Sequence, residues 1–181
     1  MPGNLPKEQC KVAIVDEDGV LQVFSIKKDE IVLHFKTLPG PPISSLKYVN
    51  GSGLNQGKIF VASKNEVRGY SQRGKLFLTF DSGLTEPIST MFVMDNDLFL
   101  CGKHIYTHYR DCREVGSYLC GDKIVDVVAF YSTKVFYCVF PTYNSTLRAA
   151  GHQTIGDSSS FSSIFFNRGL WVHTAMYHVP L

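Results

Sequence analysis

Short apolar runs cut at close intervals by turn-forming residues dominate the first 130 positions. KVAIV, Lys11 to Val15, is followed by Asp16-Glu17-Asp18-Gly19, whose Asp-Gly pair suits a tight hairpin needing positive φ. VLQVFSI resumes from Val20 to Ile26, Lys27-Lys28-Asp29-Glu30 makes a polar break, and IVLHF continues from Ile31. Val, Ile and Phe at these positions fit a half-buried pleated surface, so the pattern predicts a meander of antiparallel strands.

The pattern also repeats. HFKTLPGPPISSLKYV returns as TFDSGLTEPISTMFVM at an offset of 45 residues, setting Phe35 on Phe80, Thr37 on Ser82, Pro42 on Pro87, Ile43 on Ile88 and Ser44 on Ser89. A weaker third copy opens at Lys123 with KIVDVVAF, making Ile43, Ile88 and Ile124 equivalent markers of strand starts. Between the markers the second unit reads KIFVASK, EVRGYSQ and KLFLTF, and the third DLFLCGK, HIYTHYR and SYLCG. Four short strands per unit at a period of roughly 40 to 50 residues is the pattern of a β-propeller, whose blades cannot bury both faces alone. A β-sandwich explains the strand count but not the aligned repeat.

Composition divides the chain once. Residues 1 to 130 carry 15 basic and 15 acidic side chains, whereas 131 to 181 carry only Lys134, Arg148, Arg168 and Asp157. The expected organisation is an extension over 1–10, a partial propeller over 11–130, and a divergent, poorly structured tail over 131–181 whose start can belong to a further blade. About three four-stranded antiparallel blades are expected in this all-β fold, fewer than the roughly four to eight of a closed ring. Blade faces and edges are therefore expected to need covering, and the chain reads as part of a larger ring.

A formal net charge of +2 gives no basic excess of the kind that grips nucleic acid. No apolar run reaches the roughly 20 residues of a membrane-spanning helix, and the opening MPGNLPKEQCK lacks a secretory apolar stretch, so the expectation is cytoplasmic. Cys10, Cys101, Cys112, Cys120 and Cys138 contain no CxxC pair and are expected as reduced thiols. The sequons at Asn50 and Asn144 are expected to be silent in such a chain.

DGVLQVFSIKKDE, the linker FKTLPGP at Phe35 to Pro41, EVRGYSQRGK at Glu66 to Lys75 and IYTHYRDC at Ile105 to Cys112 carry a family likeness over about Lys11 to Phe130. Together they resemble the N-terminal propeller of the family of the seventh Bardet-Biedl syndrome protein, a BBSome subunit. The resemblance implies a non-enzymatic scaffold in a coat complex that moves proteins into and out of cilia and supports ciliogenesis. It implies other BBSome subunits as partners, membrane contact only indirectly through a small Arf-like GTPase, and residence in cytoplasm, cilium, basal body and the centrosomal region. Residues 131 to 181 do not resemble the family's next blades, and a truncated splice product without function is the corresponding alternative.

One constellation points elsewhere. Cys101, His104, His108 and Cys112 bring four zinc-type ligands within twelve residues, the basis of an alternative reading as a small zinc-binding β protein. On a strand, however, the Cα atoms of His104 and His108 lie about 13 Å apart at ~3.3 Å per residue, too far for one ion. No Gly-x-Ser-x-Gly elbow, dinucleotide loop or Walker loop occurs. Asp16 to Gly19 lacks the ligand alternation of a calcium loop. No catalytic, cofactor-binding or metal residue is therefore assigned, and no cofactor is expected. Lys27-Lys28 with Arg68, Arg73 and Lys75 form a basic rim, read as a solvated edge, and Pro39, Pro41 and Pro42 around Gly40 as stiffeners of a crossover between blades.

Overall fold

The computed structural model describes residues 11–27, 30–49, 55–132, 135–141, 147–155 and 158–166. All regular structure among them is antiparallel β, in four successive sheets. The first holds β1 (Lys11–Val15), β2 (Leu21–Lys27) and β3 (Glu30–Lys36). The second holds β4 (Ser45–Tyr48), β5 (Ile59–Ser63), β6 (Glu66–Tyr70) and β7 (Leu76–Asp81). The third holds β8 (Thr90–Met94), β9 (Asp97–Cys101), β10 (Ile105–Arg110) and β11 (Arg113–Leu119). The fourth holds β12 (Val128–Ser132), β13 (Val135–Pro141), β14 (Leu147–Ile155) and β15 (Ser158–Phe166), each strand pairing with its sequence neighbour.

The partial propeller expected from the repeat is thus present, and the expected first hairpin forms at Asp16 to Gly19. Asp16 Oδ1 accepts the Val20 N–H at 2.8 Å, and Gly19 adopts φ +70°. A Cβ at Gly19 would stand 2.3 Å from the Pro41 carbonyl oxygen, so only glycine lets this turn approach the Pro-rich crossover. The fourth sheet takes in β13, β14 and β15, which fall within the span 131–181 that composition sets apart. Asn50, the glycine loop at 51–53, Lys28, Asn144, Trp171 and Tyr177 lie outside the described residues.

Strand alternation explains how the sheets stack. In β5, Ile59 and Val61 pack with Leu21, Val23 and Tyr70 between the first two sheets, while Phe60 and Ala62 face Met91, Leu98 and Leu100 of the third. In β9, Leu98 and Leu100 point back toward the second sheet, and Phe99 and Cys101 forward to Val127 and Ala129. Both faces are covered, which is why IFVAS and DLFLC are buried throughout rather than alternating with polar residues. Each such aliphatic side chain contributes about 1.5–3 kcal/mol by leaving water.

Two devices recur from sheet to sheet. The connection leaving each of the first three sheets is tied back to an earlier turn of that sheet: Gly40 N–H donates to Asp18 O at 2.9 Å, Ile88 N–H to Lys64 O at 2.7 Å, and Ile124 N–H to Lys103 O at 2.8 Å. The last hairpin of each of the first three sheets also breaks register, between Val23 and Phe24, Gly69 and Tyr70, and His108 and Tyr109. His34, Phe77 and Val115 are the residues left without a ladder partner there, and such bulges add local twist to an outer strand.

Candidate functional site

The proposed zinc ligands do not converge. Cys101 ends β9 and is buried, opposite Tyr106 in the ladder, while His104 lies in the turn before β10. His108 is buried on β10, its ring stacked on Phe99 at 4.6 Å between centroids and 18° between planes. Cys112 is exposed at the far end of β10, in the two-residue turn to β11, where Asp111 and Cys112 both take positive φ, 50° and 60°. Six residues of strand rise separate the levels of Tyr106 and Cys112, about 20 Å at ~3.3 Å per residue. Among the described residues no group of three or more His, Cys, Asp or Glu side chains is placed to hold a metal. Cys112 and Cys120 are free thiols.

His108 serves a different cluster. Its Nε2 lies 2.6 Å from Asp97 Oδ1, the same oxygen accepts Arg110 Nε–H at 2.9 Å, and Asp97 Oδ2 meets Arg110 Nη2 at 3.3 Å. Burial by itself raises the pKa of Asp97, but the hydrogen bonds and charges of His108 and Arg110 outweigh it and hold the carboxyl below the ordinary carboxylate range. The ionised Asp97 is therefore an acceptor, and His108 Nε2–H donates to it. With its carboxylate bonded to two partners and its imidazole stacked on Phe99, the cluster locks β9 to β10.

A second polar cluster joins the leading strands. Thr90 Oγ1 on β8 donates to Asp126 Oδ1 at 2.7 Å, and Lys47 Nζ on β4 lies 3.8 Å from the same atom. Burial pushes the Asp126 pKa up, yet the Thr90 hydroxyl, the Val127 N–H and Lys47 together leave it lowered. One carboxylate thus links three successive sheets, a role that the sequence, where these residues are 79 positions apart at the extremes, gave no sign of.

The surface suited to interaction is the outward face of the first sheet. Ladder partners place Val12, Phe24 and Leu33 on one face with Ile26 and Ile31, opposite the face whose Ala13 and Val15 pack toward the second sheet. Ile31 is 73% exposed and Leu33 55%, values that a covered blade face does not show. At the other end, β12 buries Ala129 and exposes Val128 and Phe130 on its far side. Among the described residues, β1 to β3 and β12 thus both present exposed apolar side chains, of the kind that marks protein contact.

A family model described as the BBS7 β-propeller matches residues 1–165. The chain belongs to the BBS7 β-propeller family. The mouse BBSome complex member BBS7 is 45% identical over 128 residues, 71% of this chain and 18% of the mouse protein. The Caenorhabditis elegans BBSome complex member bbs-7 is 33% identical over 154 residues, 82% of this chain and 21% of the worm protein. The chain thus spans about a fifth of the length of these BBS7 relatives. The family model extends to residue 165, past Phe130, where the likeness carried by the quoted motifs ends.

Solved structures agree on the BBS7 fold. The WD40 domain of SCAP from fission yeast superposes with a TM-score of 0.59 at 15% identity, covering 93% of this chain and 52% of that one. BBS1N, solved in complex with ARL6DN, gives 0.59 at 11% identity over 84% of this chain and 46% of its own. At these identities the likeness speaks for the propeller fold alone.

Proposed function

We propose that the chain is a non-enzymatic scaffold subunit of a BBSome coat, working in protein transport to and from the cilium and in cilium assembly. The observation that carries this reading is the family match across residues 1–165. The open apolar face of β1 to β3 supports it physically, since burying that face requires another protein surface or another blade. Its partners are other BBSome subunits, and its contact with membrane is indirect, through a small Arf-like GTPase engaged by the complex. Its place is the cytoplasm, the cilium, the basal body and the centrosomal region. The non-enzymatic part of this reading is supported by the similarity to BBS7 propellers.

Affinity purification of the tagged chain from ciliated cells tests the proposal. Enrichment of BBSome subunits, lost when Ile31→Glu and Leu33→Glu are combined on the open face, is the expected result. A folded chain that enriches no BBSome subunit refutes it and favours a product without function.

A further inference from the structure

The junction of the first two sheets holds a cleft of about 400 Å³ between the end of β3, the crossover that follows it, β6 and the β6–β7 turn. Two aromatic rings line it: Phe35 and Tyr70 stack at 6.5 Å between centroids and 28° between planes. Gly74, at φ +83°, presses the turn onto this lining, because a Cβ there would meet Phe35 Cγ at 2.6 Å. The lining is thus formed by tertiary packing before any ligand arrives.

Three cations surround it, and none of the lining residues is acidic. Arg68 is ion-paired to Glu66 through its Nε–H and also hydrogen-bonds Tyr70, with Nη1 beside Gly40. Lys36 and Arg73 are exposed and, among the described residues, neither forms a salt bridge. Leu38, 87% exposed, stands on the rim between them and supplies apolar surface facing solvent.

We propose that this cleft is a binding site for an extended peptide segment alternating acidic and apolar residues. Carboxylates pair with Lys36 and Arg73, and an apolar side chain lies on Phe35 and against Leu38. Lys36 ends β3 and Arg73 lies in the β6–β7 turn, so the two unpaired cations come from different sheets beside aromatic and aliphatic side chains, a setting that suits a peptide carrying both carboxylates and apolar groups better than a single phosphate. Guanidinium groups at such a rim take carboxylates through paired N–H bonds, which gives orientation as well as attraction. The site lies wholly between the first two sheets and does not depend on membership of a larger complex.

Fluorescence anisotropy on the purified 181-residue chain tests this, with a fluorescein-labelled peptide alternating Glu and Leu, a Lys–Leu counterpart, and vesicles of phosphatidylcholine with phosphatidylserine. The Glu–Leu peptide is expected to bind and the Lys–Leu peptide not to. Arg73→Glu and Lys36→Glu should each weaken binding about tenfold, roughly 1.4 kcal/mol, and Leu38→Ser a few-fold. Lys123→Glu, an equal change of net charge on a remote loop, should leave it unchanged, and unaltered far-UV circular dichroism keeps folding out of the comparison. Equal weakening by Lys123→Glu overturns the site in favour of overall charge. Charge-reversal-sensitive binding to the vesicles without binding to the peptide overturns it in favour of a lipid headgroup.

Discussion

Replacing Asp97 by Ala removes the one acceptor shared by His108 and Arg110, and the geometry sets the cost. The His108 bond at 2.6 Å joins two side chains only 2% and 6% exposed, so its loss strands a buried imidazole N–H, a penalty of about 1–3 kcal/mol. Arg110 is 34% exposed and is partly rehydrated, so its share is discounted to about 1 kcal/mol at most. The sum is about 3 kcal/mol, a large part of the ~5–15 kcal/mol that holds a typical domain. Asp97→Asn keeps an oxygen in place and gives up only the charge, about 1 kcal/mol. In urea, with a slope near 2 kcal/mol per molar, the midpoints should fall by about 1.5 M and 0.5 M, followed by far-UV circular dichroism. The pH dependence has a fixed sign. The folded-state pKa of Asp97 is depressed, so its contribution is present above the unfolded carboxylate value and is lost as pH falls through the folded one. The Ala variant should lack that part of the acid limb. A loss under about 0.5 kcal/mol for Asp97→Ala, or equal losses for Ala and Asn, would show that the cluster does not lock β9 to β10.

Three further outcomes follow from local geometry. Cys112→Gly, at a turn position with φ 60°, should raise stability by about 0.5–1 kcal/mol in the same urea titration, whereas a zinc ligand at that place would give a loss reversed by added metal. Gly74→Ala should cost at least about 1–2 kcal/mol, read as a lower melting temperature, because its φ of +83° and the Phe35 ring 2.6 Å away both oppose a Cβ. Ser89→Ala, which removes hydroxyl bonds to Cys101 O at 3.1 Å and Gly102 O at 3.0 Å, should cost about 1 kcal/mol and hasten amide hydrogen exchange at the start of β8.

The repeated Ser44 and Ser89 were visible in the sequence because a local need recurs: each hydroxyl caps a carbonyl at the end of the second strand of its own sheet, Ala62 O and Cys101 O. The same holds for Thr37 and Ser82, whose N–H groups reach back to Leu21 O and Asn65 O. Strands with outward polar positions were equally plain. The bulges were not, since His34, Phe77 and Val115 share no side-chain character and the requirement there is on the backbone. The link from Lys47 to Asp126 was hidden because it depends on how three sheets stack, which no local period encodes. The Cys-His spacing misdirected for the opposite reason: residues close in sequence along one strand are held apart by that strand's rise. Past residue 130 the sequence offered no clear period from which to read the pairing of β13 to β15.

The ties from Gly40, Ile88 and Ile124 to the preceding turns use main-chain atoms alone. A joint of that kind makes no demand on which side chains stand beside it, so wedges can diverge freely in composition while meeting at the same angle. Duplication or deletion of a whole unit leaves every surviving joint chemically intact, which gives lineages a cheap way to lengthen or shorten the array. Melting, by the same logic, should proceed inward from the outermost units, each holding its neighbour through contacts that do not reach the one beyond.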